Sequence, residues 1–79
     1  MLILTQNKEE IINLDEISNI YIVDNNIWVN NGGVEPISNI GNYETKDRCK
    51  EILKNILRRY RACNGDKYIR NEIFEMPTK

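Results

Sequence analysis

Seventy-nine residues, 41% of them hydrophobic and with a formal net charge of −1, are expected to make one small domain spanning 1–79; a chain this short buries only about 60–65% of its unfolded surface. The absence of histidine removes the usual general base and the commonest transition-metal ligand. No apolar run approaches the ~20 residues of a membrane span, and the opening MLILT runs straight into polar QNKEE, too short for a signal-peptide core, so a cytoplasmic protein is expected.

Leu2–Gln6 is a short apolar run ended by a polar turn cluster, and Glu10–Leu14 resumes it, so the pair reads as a hairpin. Asn19–Val23 (NIYIV) alternates, with Ile20 and Ile22 on one face and Tyr21 and Val23 on the other. DNN turns the chain and IWVN returns it, placing Ile27 and Val29 on one face and Trp28 on the opposite one. Asn31–Gly33 (NGG) is a strong turn signal because glycine and asparagine accept positive φ. VEPISNIGNY then continues as an edge or irregular strand, since Pro36 cannot donate to a ladder.

Thr45 opens a helix: its hydroxyl can cap the first turn, where the Asp47 carboxylate suits the dipole. Cys49, Ile52, Leu53, Ile56, Leu57, Tyr60 and Cys63 follow in steps of three and one, a single apolar stripe at helical period. Asn64-Gly65 stops it with a glycine suited to a left-handed cap. Cys49 and Cys63 in one helix lie roughly 21 Å apart at 1.5 Å per residue, beyond the about 7 Å that a disulfide spans; two buried thiols are expected. KYIRNEIFEM closes the chain as a strand before Pro77. The order β-β-β-β-(β)-α-β predicts an α+β domain: one antiparallel sheet of about five or six strands, covered by a single long amphipathic helix.

One helix covers one face. Ile20, Ile22, Ile27 and Val29 suit the helix stripe, which leaves Tyr21, Val23 and Trp28 together on a face with nothing to cover them. Such a cluster marks an interface, most simply that of a two-fold homo-oligomer, unless the sheet curls over it.

Charge is segregated. Residues 1–45 carry one lysine and seven acids, whereas residues 46–70 carry nine basic residues and three acids. This pattern fits an anion site on the basic part, or pairing between the halves within or between copies. Within it RRYR, residues 58–61, has the look of a nucleic-acid signature. On a helical wheel, however, Tyr60 turns into the apolar stripe. Lys50, Lys54, Arg58 and Arg61 line one flank, and Arg48 and Arg59 the other, with Glu51 and Asn55 between. Arginines in a last turn also favour the helix dipole and snorkel over an apolar edge, so the flank is either a helix ending or a basic seam for phosphates or an acidic surface. Duplex DNA is disfavoured, because a single helix builds no helix-turn-helix and the acidic first half opposes a phosphate backbone.

No phosphate-loop or dinucleotide motif is present, and Ser18 and Ser38 have no histidine to activate them. The pairs Glu9-Glu10 and Asp15-Glu16 read as solvated turn residues. No metal site, cofactor or catalytic constellation is expected, and the chain reads as a non-enzyme. The stretches MLILTQNKEEIINLDEISNIYI and IGNYETKDRCKEILKNI, with the closing FEMP, resemble a family of short proteins of unassigned function from phages, prophages and mobile elements of low-GC Gram-positive bacteria. The heavy use of isoleucine (13) and asparagine (12) fits such AT-rich genomes.

The resemblance implies a setting, in which small phage accessory proteins antagonise host defence. The expectation is therefore a non-enzymatic anti-defence protein that, as a homo-oligomer in the host cytoplasm, sequesters an anionic nucleotide-derived signal. Arg58, Arg61 and Arg59, with Lys54 beside them, are the candidate phosphate contacts, and Trp28, Tyr21 or Tyr68 the candidate stacking surfaces. The alternative is a protein–protein interaction module that inhibits a host protein and takes no small ligand.

Overall fold

The computed structural model describes residues 1–30, 37–65 and 73–79, with side chains for 1–30, 38–62 and 73–79. In chain order these form β1 (Leu2–Leu4), β2 (Ile11–Asn13), a short 3-10 helix (Leu14–Glu16), β3 (Asn19–Val23), β4 (Asn26–Asn30), β5 (Ile37–Asn42), α1 (Lys46–Gly65) and β6 (Ile73–Glu75). The class is α+β. The turn expected at Asn31–Gly33, Pro36 and Tyr68 lie outside the described residues.

The single sheet expected from the sequence is instead two three-stranded sheets, β2-β1-β6 and β3-β4-β5. The break falls after β2. There the Asn13 side-chain oxygen accepts from the Asp15 backbone N–H at 3.1 Å and starts the 3-10 helix, which carries the chain off the first ladder before β3 begins. The first sheet takes β6 from the far end of the sequence. Leu2, Ile3 and Leu4 pair in parallel with Ile73, Phe74 and Glu75, and α1 lies in the crossover that a parallel pair requires.

Gln6 stitches the two sheets together. Its backbone N–H donates to the Ile40 carbonyl at 3.0 Å. Its side-chain oxygen accepts from the Asn42 N–H at 2.7 Å, and its amide donates to the Asn42 and Thr78 carbonyls.

In the second sheet the two-residue turn Asp24-Asn25 joins β3 to β4, with Asp24 at φ 55°, a left-handed conformation that a short polar side chain tolerates. Ile20 faces Val29 and Ile22 faces Ile27, while Tyr21 faces Trp28. Ile27 and Val29 are buried, and Ile20 and Ile22 pack against the core, so the helix side of this sheet is the one the alternation indicated. Between β4 and β5 the register slips near Ile27 and Trp28, which pair with Gly41 and Asn39. The extra residue between those partners is Ile40, and it is buried in the core.

Helix α1 begins as its sequence dictates: the Arg48 N–H donates to the Thr45 hydroxyl at 3.1 Å. Cys49, Ile52 and Ile56 are buried against both sheets' apolar residues. Leu57, read as part of the same stripe, is 49% exposed. It sits at the rim of the stripe beyond β3, an edge strand with no further neighbour among the described residues. Positions 49 and 63 both fall in α1, too far apart to bridge; Cys49 is a buried free thiol whose pKa burial raises, while the side chain of Cys63 lies outside the described residues.

Candidate functional site

The helix divides RRYR as the wheel indicated. Leu57, Lys54, Arg58 and Arg61 line a shallow groove of about 280 Å³ on one flank of α1. All four residues are exposed, and among the described residues the three cations make no ion pair. Arg59 points elsewhere, with its guanidinium carbon 5.8 Å from the centre of the Phe74 ring, at cation–π distance. Arg48, on the same flank as Arg59, pairs with Glu51 and donates to the Lys79 carbonyl through Nε at 3.1 Å and Nη2 at 2.8 Å. Glu51 is thus half of an ion pair on an otherwise solvated face.

Tyr60 is half-buried where the stripe predicts burial. Its ring packs against the core, and its hydroxyl donates to Asp15 Oδ1 at 2.7 Å. Asp15 Oδ2 accepts from the Met1 ammonium at 3.4 Å. This ties the 3-10 helix to the C-terminal half of α1. The hydroxyl donated by Tyr60 holds the Asp15 carboxyl below the ordinary carboxylate range, with the ammonium adding to the effect and partial desolvation opposing it. Nothing in the spacing of residues 15 and 60 announces this contact, and Asp15 reads from sequence as a solvated turn residue.

A depressed folded pKa contributes stability above the unfolded value that is lost as pH falls through the folded one. Tyr60→Phe is therefore expected to raise the Asp15 pKa in a carboxyl-carbon NMR titration. Its destabilisation should shrink as the pH is lowered through the carboxylate range. An unchanged Asp15 titration would show that the hydroxyl does not support this carboxylate.

Next to the basic groove lies a second, apolar one of about 430 Å³. One wall is Leu53, Leu57 and Tyr60 of α1, with Ile56 at its base; the other is Leu14, Ile17 and the start of β3 through Ile20. Leu57 belongs to both grooves, so an apolar trough and a strip of three cations, without an ion pair among the described residues, run side by side along α1. The sequence separates the two walls by more than thirty residues, and hydrophobic periodicity alone cannot show that they meet.

Of the stacking candidates, Tyr21 and Trp28 are not brought to this place. Tyr21 and Trp28 form a cross-strand pair on the outer face of β3-β4-β5, and the helix lies against the inner face. Both rings are half-buried, and Val23 beside them is 47% exposed. Within one chain the sheet separates these rings from Lys54, Arg58 and Arg61.

Among the described residues no three acidic, cysteine or histidine side chains converge to hold a metal ion, and no helix is long and apolar enough to cross a membrane. Compared with protein-family models, curated proteins and solved structures, the chain matches none of them.

Proposed function

We propose that this chain is a non-enzymatic interaction module that acts by binding another protein. The carrying observation is the apolar groove between α1 and the start of β3, bordered through Leu57 by Lys54, Arg58 and Arg61. An open apolar trough with a charged rim has the anatomy of a protein-binding surface, whereas a small ligand takes an enclosed concave site. In the phage setting that the sequence resemblance implies, the partner is a protein of the bacterial host, and binding it antagonises defence in the host cytoplasm.

A second reading keeps the three cations for a nucleotide-derived anion. What favours it is their convergence in one groove with no acidic partner among the described residues. A ligand that used Trp28 or Tyr21 as well would need two subunits, because one chain holds those rings on the opposite side of the sheet. With either ring as the stacking surface, this reading requires a homo-oligomer.

The two readings part in one experiment. A host protein captured by the wild-type chain should re-form a complex of fixed stoichiometry from purified components, and Leu57→Glu should abolish it. The melting temperature should not move with cyclic dinucleotides or ADP-ribose derivatives. A nucleotide that raises it through binding to the folded state, with the gain lost in an Arg58→Ala, Arg61→Ala double variant, would overturn the protein-binding reading in favour of sequestration.

A further inference from the structure

Strand β3 is the free edge of its sheet: β4 pairs with one side, and no described strand pairs with the other. An edge strand presents alternate N–H and C=O groups outward, ready to template another chain. Four features that commonly blunt such an edge are missing along Asn19–Val23, which has no proline, lysine, bulge or inward-facing charge. The apolar groove opens beside this edge, with Ser18, Asn19 and Ile20 forming its β wall. A strand added at the ordinary spacing of about 4.8 Å would run along the groove beneath Leu53 and Leu57. It would cover the aliphatic surface that the three-stranded sheet leaves open to solvent.

Resting on the protein-binding reading above, we propose that the partner docks by adding an extended segment to the β3 edge, its inward side chains mixing aliphatic residues with carboxylates. The aliphatic positions fill the trough against Leu53, Leu57 and Ile17. The carboxylates reach past Leu57 to Lys54, Arg58 and Arg61, which line the groove adjoining the trough on the helix side. Main-chain hydrogen bonds supply affinity, and the alternating side chains supply selection. A second copy of this chain does not suit the site. Two β3 strands paired about a two-fold axis would set helix beside helix on one face of a continuous sheet. Each basic flank adjoins Leu57, on the β3 side of its helix, so the two sets of cations would face each other and repel.

The probe is a short synthetic peptide with threonine at every second position and isoleucine alternating with glutamate between. Fluorescence anisotropy should show saturable binding that weakens about tenfold or more in the Arg58→Glu, Arg61→Glu double variant, the size of a lost charged hydrogen bond. Glutamine in place of glutamate in the peptide should weaken it similarly, and so should added salt. A proline at the centre of the peptide should abolish binding. Hydrogen exchange should slow at the backbone amides of Asn19–Val23 in the complex.

Binding with those amides unchanged would overturn strand addition while leaving the protein-binding reading intact. No saturable binding at about millimolar peptide would overturn the proposed segment chemistry, again without touching that reading, which stands or falls on the reconstituted complex. Binding unaffected by charge reversal at Arg58 and Arg61 would overturn the acidic component.

Discussion

Ile56→Asp is expected to abolish folding. Ile56 is 4% exposed and packs in the single core cluster that joins α1 to both sheets. Removing its aliphatic volume alone costs about 2–5 kcal/mol. The carboxylate then adds the penalty of a buried charge, since among the described residues the buried set around it is apolar apart from Thr5. A domain of this length has roughly 4–12 kcal/mol of stability in all, so the two terms together exhaust it. The variant should show no cooperative thermal transition and an unfolded far-ultraviolet circular dichroism spectrum. Lys50→Ala, on the exposed face of the same helix, should change stability by less than about 0.5 kcal/mol. Equal mildness in the two variants would mean that the buried face of α1 has been misassigned.

Tyr43→Ala should rank next, at about 3–5 kcal/mol, the range for deleting a buried aromatic. Tyr43 is 4% exposed and sits in the connection between β5 and α1. Its hydroxyl donates to the Pro77 carbonyl at 2.7 Å, and its backbone N–H donates to the Asn25 carbonyl at 2.9 Å. The ring also explains a glycine. A Cβ built on Gly41 would lie 2.6 Å from Tyr43 Cε2 and 2.9 Å from its hydroxyl oxygen, so Gly41→Ala must displace a packed ring. That overpacking should cost about 1–3 kcal/mol.

Burial pushes the Tyr43 pKa up to about 12, with the nearby Arg48 charge opposing. A folded pKa above the unfolded one contributes stability that is complete below about pH 10 and disappears as the pH rises towards 12. Tyr43→Phe should therefore lose one hydrogen bond's worth of stability, about 1 kcal/mol, and flatten the alkaline limb of the stability curve. Denaturant melts across that window would show it. An alkaline limb identical to wild type would assign the loss of stability to other groups.

Much of the architecture could be read along the chain because it is encoded locally. The stripe through Cys49, Ile52 and Ile56 has a helical period and Thr45 is a capping residue, and each signal needs only its near neighbours. Alternation over Asn19–Val23 likewise fixed which face of β3 and β4 meets the helix. What escaped is non-local. Period two cannot tell which strands are neighbours, so the division into two sheets and the place of β6 beside β1 had no signature. The Leu14–Glu16 3-10 helix looked like a hairpin's end because its cap, Asn13, is equally at home in a turn.

The candidate site follows the same division. Lys54, Arg58 and Arg61 share a flank at helical spacing, so their company is written in the sequence. Leu57 was expected to be core and is half-exposed, because how far a sheet extends beneath a helix is a tertiary matter. Trp28 and Tyr21 were candidates for the same ligand as the arginines, yet alternation, followed through both strands, already sets them on the side away from the helix.

The pairing of β1 with β6 has a consequence for how the molecule is made. Residues 2–4 pair with residues 73–75, whereas β3, β4 and β5 are consecutive antiparallel neighbours. As the chain leaves the ribosome, the second sheet can form from short-range contacts. Strand β1 keeps one side unpaired until residue 75 has emerged. Loop closure over almost the whole chain is paid in entropy before that last ladder returns anything. The order of assembly is therefore vectorial only in part: the middle of the sequence can settle early, and strand β1, made before it, is among the last to be completed. Until then its apolar residues, Ile3 above all, remain open to chaperones and to misassociation with other nascent chains.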